Sequence, residues 1–287
     1  MSAYSRGTID SENYQKYRLT YPKSLYDAIV AYHSGRKNRA LDIGCGTGLG
    51  TFPLLNHFDE VTGCDPSAKM LEAAQIEKGR LPNSLQGRII FEKVLGEDLA
   101  DRFASNSIDL ICGGESIQYV DFKKFFEAVH KTLRPGGTLA FWFYADPVFV
   151  NNLKATQIFK NFCYEDGRYF QSVLPSQIEI IRCLGQNIEI PKSMFENIVS
   201  EVNYPGTSGR GSTQFRITKW FSLQDLRNFM STWGYYQNWL EQNKGNCEDI
   251  IEVLMKKLKS ECGFKEEKTY ELEWETSYYL ARKKASI

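Results

Sequence analysis

The chain has 287 residues, with 35 Lys and Arg balanced by 35 Asp and Glu. That length can bury a full α/β core with residues to spare, and the neutral balance offers no global field to draw nucleic acid or an anionic membrane. No apolar run reaches the ~18 residues of a membrane span, the N-terminus has no signal-type apolar stretch, and the seven cysteines show no Cys-x-x-Cys spacing.

These features predict reduced thiols, no bound metal and a cytoplasmic protein without stable membrane insertion. In chain order, residues 1–38 read as polar and helical, a lid rather than part of the core. An apolar strand then runs through Leu41-Asp42-Ile43 into Gly44-Cys45-Gly46-Thr47-Gly48-Leu49-Gly50. Alternating glycines let the backbone turn sharply and let a ligand lie against bare main chain. Asp42 sets a carboxylate at the mouth of that turn, where an ammonium group is a better partner than a phosphate. The dinucleotide fingerprint Gly-x-Gly-x-x-Gly, started at Gly44, needs a glycine where Leu49 stands, and no P-loop Gly-Lys-Ser/Thr follows. Pro53 is tolerated if its helix begins near Thr51.

A second apolar run, Val61–Cys64, ends at Asp65, about 20 residues beyond Gly44, where a doubly wound sheet presents an acid to ribose hydroxyls. Ser67 is the expected N-cap of a helix reaching Arg80. The strand-like run Arg88–Leu95 leads into Gly96-Glu97-Asp98-Leu99. Ser107–Cys112 reads as a buried strand entering Gly113-Gly114-Glu115-Ser116-Ile117-Gln118-Tyr119. A helix follows from about Asp121, with Phe122, Phe125, Phe126, Val129 and Leu133 on one face. Leu133-Arg134-Pro135-Gly136-Gly137-Thr138 then turns into the strand Leu139–Tyr144.

The alternation predicts a single α/β domain built on a doubly wound, mostly parallel, seven-stranded sheet with helices on both faces. Residues 39–144 form its core. Residues 145–194 and 205–265 are expected as cap insertions, and 195–204 and 270–282 as closing strands. Ligands bind such sheets outside the carboxyl ends of the strands, and every motif above is expected to fall there.

The acid-and-glycine loop, Asp65, Asp98 and the Leu-Arg-Pro-Gly-Gly turn, in this order, resemble the class I S-adenosylmethionine-dependent methyltransferases. Their first motif is an acidic residue followed by Gly-x-Gly-x-Gly. Four further segments narrow the resemblance: Tyr14–Pro22, Phe141–Pro147, Ser231-Thr232-Trp233 and Glu273–Lys283. They look like the fungal trans-aconitate methyltransferase-like family, which includes a cantharidin-resistance methyltransferase. The likeness spans nearly the whole chain and is weakest over Asn151–Thr213. Where relatives carry His-Trp after the fourth strand, this chain has Gln118-Tyr119.

The resemblance implies S-adenosylmethionine as cofactor, held by Tyr14, Arg18, Asp42, Gly44, Cys45, Gly46, Asp65, Pro66, Met70, Glu97, Asp98 and Glu115. Within that set Asp42 serves the methionine end, Asp65 the ribose and Asp98 the adenine amino group. Glu115, Gln118 and Tyr119 are expected at the reacting edge. Tyr21, Tyr119, Trp142, Arg216 and Trp233 are expected around the acceptor, although Trp233, on the helix capped by Ser222, reads more readily as core, and Arg18 with Tyr21 covers either the methionine end or the acceptor. Arg168 and Arg210 are further cations for an acidic acceptor, and 205–212 has the composition of a mobile lid.

The sulfonium is already a strong electrophile, so positioning and exclusion of water are the main demands on the protein. His33, His57 and His130 all read as packing or surface residues away from the strand ends. Without an obvious general base, an acceptor that is anionic at neutral pH is favoured. The expected activity is O-methylation of a small carboxylic acid of the trans-aconitate kind. The alternatives are a hydrophobic natural product, lipid or quinone as acceptor, or a cofactor-binding protein without turnover. No Asn/Asp-Pro-Pro-Tyr/Phe segment for a flipped base is present, no nucleic-acid partner is expected, and the oligomeric state stays open.

Overall fold

Short β-rich apolar runs separated by capped helices fold here into an α/β sheet wrapped on both faces. The computed structural model describes residues 10–205, 214–243 and 248–285. Arg210 and most of the expected 205–212 lid lie outside the described residues.

Helix α1 (Ser11–Tyr17) starts at an Asp10 cap and α2 (Lys23–Tyr32) follows Pro22. The core alternates β1 (Arg39–Ile43), a 3-10 turn (Phe52–Asn56), β2 (Glu60–Cys64), α3 (Ala68–Gly79), α4 (Asn83–Gln86) and β3 (Ile89–Glu92). It continues through α5 (Leu99–Arg102), β4 (Ile108–Gly114), α6 (Phe122–Thr132) and β5 (Leu133–Phe149). Side-chain caps mark the helix starts as the sequence suggests: Ser67 accepts from the Met70 N–H and Asp121 from the Lys124 N–H. Pro53 sits in the first turn of the 3-10 segment, where its missing N–H costs nothing.

The cap holds α7 (Leu153–Lys160), a π-turn (Asn161–Glu165) and α8 (Ile178–Arg182) before β6 (Phe195–Asn203). Then come β7 (Ile217–Ser222), α9 (Leu223–Ser231), α10 (Gly234–Gln242), α11 (Ile250–Cys262) and β8 (Thr269–Lys283). The strand order is β3-β2-β1-β4-β5-β8-β6, with β7 also paired to β8. β1 to β5 are mutually parallel, and β8 runs antiparallel to β5, β6 and β7. One face packs under α5 and α6 through Leu99, Phe125, Phe126 and Val129. The other packs under α2 and the cap through Leu25, Tyr26, Phe159, Phe229, Trp233 and Leu258.

The expected seven strands form the path β3-β2-β1-β4-β5-β8-β6, and among the described residues β7 adds a short eighth along β8 that leads into the Ser222 capping box. Two expectations are corrected. Trp233 does not belong to the helix that Ser222 caps: α9 ends at Ser231, and Trp233 stands at the N-cap position just before α10. The Leu-Arg-Pro-Gly-Gly turn lies at the amino end of the sheet, with Leu133 beside Ile108 at the start of β4.

That last motif has a structural task. Asp109, buried on β4, accepts from Arg134 Nε at 2.6 Å and Arg36 Nε at 2.8 Å. Its second oxygen accepts the N–H groups of Asn38 and Arg39 at 3.0 and 2.9 Å. Arg134 also donates to the Ser34 carbonyl. The guanidiniums and N–H groups hold the Asp109 carboxyl below its ordinary range despite burial, which pushes it the other way. The entry to β1 is thereby pinned to the start of β5.

Candidate active site

Two strand ends, the glycine turn and the N-terminal strap converge on one narrow cavity. Its walls are Tyr14, Arg18, Leu19, Tyr21, Asp42, Gly44, Cys45, Gly46, Thr47, Leu49, Gly50, Gly114 and Glu115. β1 delivers Asp42, the glycine turn curls over it, β4 delivers Gly114 and Glu115, and the segment around α1 closes the top. Gly44, Gly46 and Gly48 have φ of +62°, +55° and +91°, the left-handed region that favours glycine. A Cβ on Gly44 would lie 2.4 Å from Ser116 Cβ, whereas one on Gly46 would meet nothing within 4 Å. Gly44 is therefore bare for packing, and Gly46 leaves room on the cavity wall.

Asp42 accepts from Thr51 Oγ1 at 2.6 Å and from the Cys112 thiol at 3.7 Å. Burial pushes its carboxyl up to about 7, against the pull of those two donors. Asp65, at the end of β2, accepts the Gly46 N–H at 2.9 Å and the Ser67 N–H at 2.8 Å, so it ties the glycine turn to the second strand. Burial raises it as well, with the two N–H groups opposing. Thr47 Oγ1, on the cavity wall, is buried without a hydrogen-bond partner among the described residues.

Glu115 has φ +53°, unusual for a side chain with a Cβ. Its N–H donates to the Trp142 carbonyl at 3.0 Å, and its Oε1 accepts the Tyr144 N–H at 2.5 Å. The carboxylate thus extends the β4–β5 ladder by one rung. Burial lifts it to about 7, while the Tyr144 N–H and Arg18 pull it down. Arg18 donates to Thr232 Oγ1 at 3.3 Å and lies 5.3 Å from the Tyr14 ring and 5.6 Å from the Tyr144 ring. It links the strap, β5 and the junction of α9 and α10.

Other residues named from the sequence fall elsewhere. Gln118 is buried and donates to the Glu115 carbonyl at 3.0 Å, bracing that residue rather than lining the cavity. Tyr119 is exposed. Trp142 is fully buried beneath Gly114, with Tyr21 and Tyr26 edge-on to its indole. Arg216 pairs with the buried Glu273 at 2.6 Å, and Arg168 pairs with Asp166 on the surface. Trp233 is buried among Phe159, Phe170, Phe229 and Tyr235. Met70 is buried in α3 and Pro66 precedes its cap. Glu97 accepts the Asp121 N–H at 2.8 Å, and Asp98 is exposed beside α6. His33 bonds Thr138 and the Arg36 carbonyl near the amino end of the sheet.

Thr51, Cys112, Thr47 and Tyr144 escaped the sequence reading. Thr51 was visible only as a helix start, and Tyr144 only within the Phe141–Pro147 segment.

The donor set suits a nucleoside carrying an amino-acid tail. It has an open glycine cradle, the buried Asp42 on its wall with Asp65 tied to the glycine turn, and a Thr47 hydroxyl without a hydrogen-bond partner among the described residues. Asp42 would face the ammonium of S-adenosylmethionine and Asp65 its ribose diol. When bound, that cofactor supplies an electrophilic methyl group.

Comparison with known proteins agrees. A family profile described as "Methyltransferase domain" matches residues 41–141. The probable S-adenosylmethionine-dependent methyltransferase CRG1 of Saccharomyces cerevisiae is 30% identical, over 99% of both chains. A Dictyostelium discoideum protein named as a methyltransferase is 27% identical, over 88% of this chain and 86% of its own. A structure assigned as a type II methyltransferase from Anaeromyxobacter dehalogenans superposes with TM-score 0.67 at 16% identity, covering 92% of this chain and 97% of that one. With the fold, the glycine cradle and full-length similarity in agreement, the chain belongs to the S-adenosylmethionine-dependent methyltransferases.

Proposed function

We propose that this enzyme O-methylates a small organic acid, with Arg18 as the anchor for the acceptor carboxylate. The observation that carries the reading is the placement of Arg18. It is the cation among the described residues lining the cavity, which Glu115, Tyr14 and Tyr21 also line, and its guanidinium lies over the rings of Tyr14 and Tyr144. A guanidinium presents a planar fork that matches a carboxylate. A carboxylate acceptor is already ionised at neutral pH and needs no base. The family resemblance to the trans-aconitate type supports the same choice.

A second reading has one observation behind it. Glu115 is held at about 7 at the cavity wall, which suits a general base for a phenol or hydroxyl on a hydrophobic acceptor. The two readings separate on the product. Labelled methyl-S-adenosylmethionine is incubated with the enzyme and a small-molecule extract, and labelled products are treated with mild alkali. A methyl ester releases its label as methanol; an aryl or alkyl methyl ether keeps it. Retention of label through alkali would remove the carboxylic acid reading.

A further inference from the structure

Two carboxyl groups face one cavity from different strands, and they are held differently. Asp42, on β1, is hydrogen-bonded by Thr51 and Cys112, with Asp65, Cys45, Cys64 and the Tyr26 phenol around it. Glu115, just past β4, takes one N–H from Tyr144 of β5, and faces Arg18 and the phenols of Tyr21 and Tyr144. Its left-handed backbone is fixed at both ends, by its own N–H on the Trp142 carbonyl and by Gln118 on its carbonyl. A non-glycine residue kept at φ +53° on a cavity wall is a strained position, and such strain persists where the direction of a side chain matters.

The cofactor changes charge during turnover. In the transfer, the acceptor supplies the electron pair of the new bond to the methyl carbon. The carbon–sulfur pair stays on sulfur, which becomes a neutral thioether. The ammonium is present before and after. An acid at the ammonium end therefore sees no change, and an acid at the reacting end loses a positive neighbour.

We propose that Glu115 is the specificity determinant for cofactor over product: it is ionised beside the sulfonium and takes up a proton from solvent when the thioether replaces it. This deepens the methyltransferase reading and rests on the cofactor assignment. Asp42, by contrast, serves both ligands equally. Because burial holds Glu115 at about 7, its exchange falls in the neutral range. If it is ionised in the sulfonium complex and stays near 7 in the thioether complex, the preference follows its ionised fraction. That fraction climbs from about a tenth at pH 6 to about nine-tenths at pH 8, a roughly tenfold gain in preference.

The test is titration calorimetry with S-adenosylmethionine and S-adenosylhomocysteine from pH 6 to 8, in two buffers of different ionisation enthalpy. The affinity ratio should rise about tenfold in favour of the sulfonium, with more protons released per sulfonium than per thioether. Glu115→Gln keeps an oxygen for the Tyr144 N–H; it should retain thioether binding and make the ratio independent of pH. Asp42→Asn should weaken both ligands together and leave the slope of the ratio intact, which tests the assignment even if Glu115→Gln misfolds. A flat ratio in the unaltered protein, or the same slope in Glu115→Gln, overturns the role of Glu115 while the cofactor assignment stands. Failure of both ligands to bind overturns both.

Discussion

Asp109→Ala should cost about 4 kcal/mol of stability without touching the cofactor. The Asp109 side chain is wholly buried, and of its two guanidinium partners Arg134 is the more buried, its side chain only 15% exposed. Losing that charge-assisted bond costs about 2 kcal/mol, and leaving the Asn38 and Arg39 N–H groups without an acceptor adds about 1 kcal/mol each. Arg36 is 54% exposed, so water screens its contact and it adds well under 1 kcal/mol. The sum lies in the range of about 3–5 kcal/mol seen when one partner of a buried ion pair is removed. The assay is urea unfolding of the ligand-free protein, read as a shift in midpoint at constant slope, beside a cofactor titration on the folded variant. The acid lies at the amino end of β4, away from the cavity, so cofactor affinity should be unchanged. Asp109 is held below its unfolded value, so its stabilisation is present above about pH 4 and is lost as pH falls through the lower folded value. The variant should therefore lose less stability on acidification than the unaltered protein. A cost below about 1 kcal/mol would refute the account of the Leu-Arg-Pro-Gly-Gly turn as a clamp.

Other expectations follow from the cavity. Gly44→Ala should unfold or severely destabilise the protein, because its Cβ would strike Ser116 Cβ, while Gly46→Ala should cost about 1 kcal/mol of backbone strain yet weaken cofactor binding more than that; equal effects on melting and binding in both variants would contradict the division. Asp65→Ala should weaken S-adenosylmethionine by about 1–3 kcal/mol, and unchanged affinity in a folded variant would remove Asp65 from the site. Asp42 and Glu115 are raised to about 7 and Asp146 to about 6, so their contribution favours the ligand-free fold below about pH 4 and is lost as pH rises to those values. Thermal melts should show stability falling between pH 5 and 8, and saturating cofactor should reduce the fall; a rise over that interval would contradict the burial argument.

Much of this was legible because single residues carry local rules. The glycine turn after β1, Asp65 at the end of β2, and the caps Ser67, Asp121 and Ser222 depend on nearest neighbours and backbone geometry. What escaped depends on distant partners. β7 falls inside the expected 205–265 cap insertion because Thr218, Lys219 and Trp220 are exposed and only pairing with β8 makes the segment a strand. Nothing near Asp109 in sequence announces four donors arriving from Arg36, Asn38, Arg39 and Arg134. Arg216 looked available for an anion until Glu273, 57 positions away, proved to hold it. The Glu115 backbone was equally hidden, because its left-handed turn is stabilised by Trp142 and Tyr144 of the next strand.

β8 has a consequence for how the chain is made. It follows every strand it joins, and it alone connects β5 to both β6 and β7. Until it emerges from the ribosome, β5 presents an open edge and two later strands have no neighbour. Synthesis is therefore expected to pass through a nascent form with an unprotected sheet margin, prone to aggregate if translation stops short of Thr269.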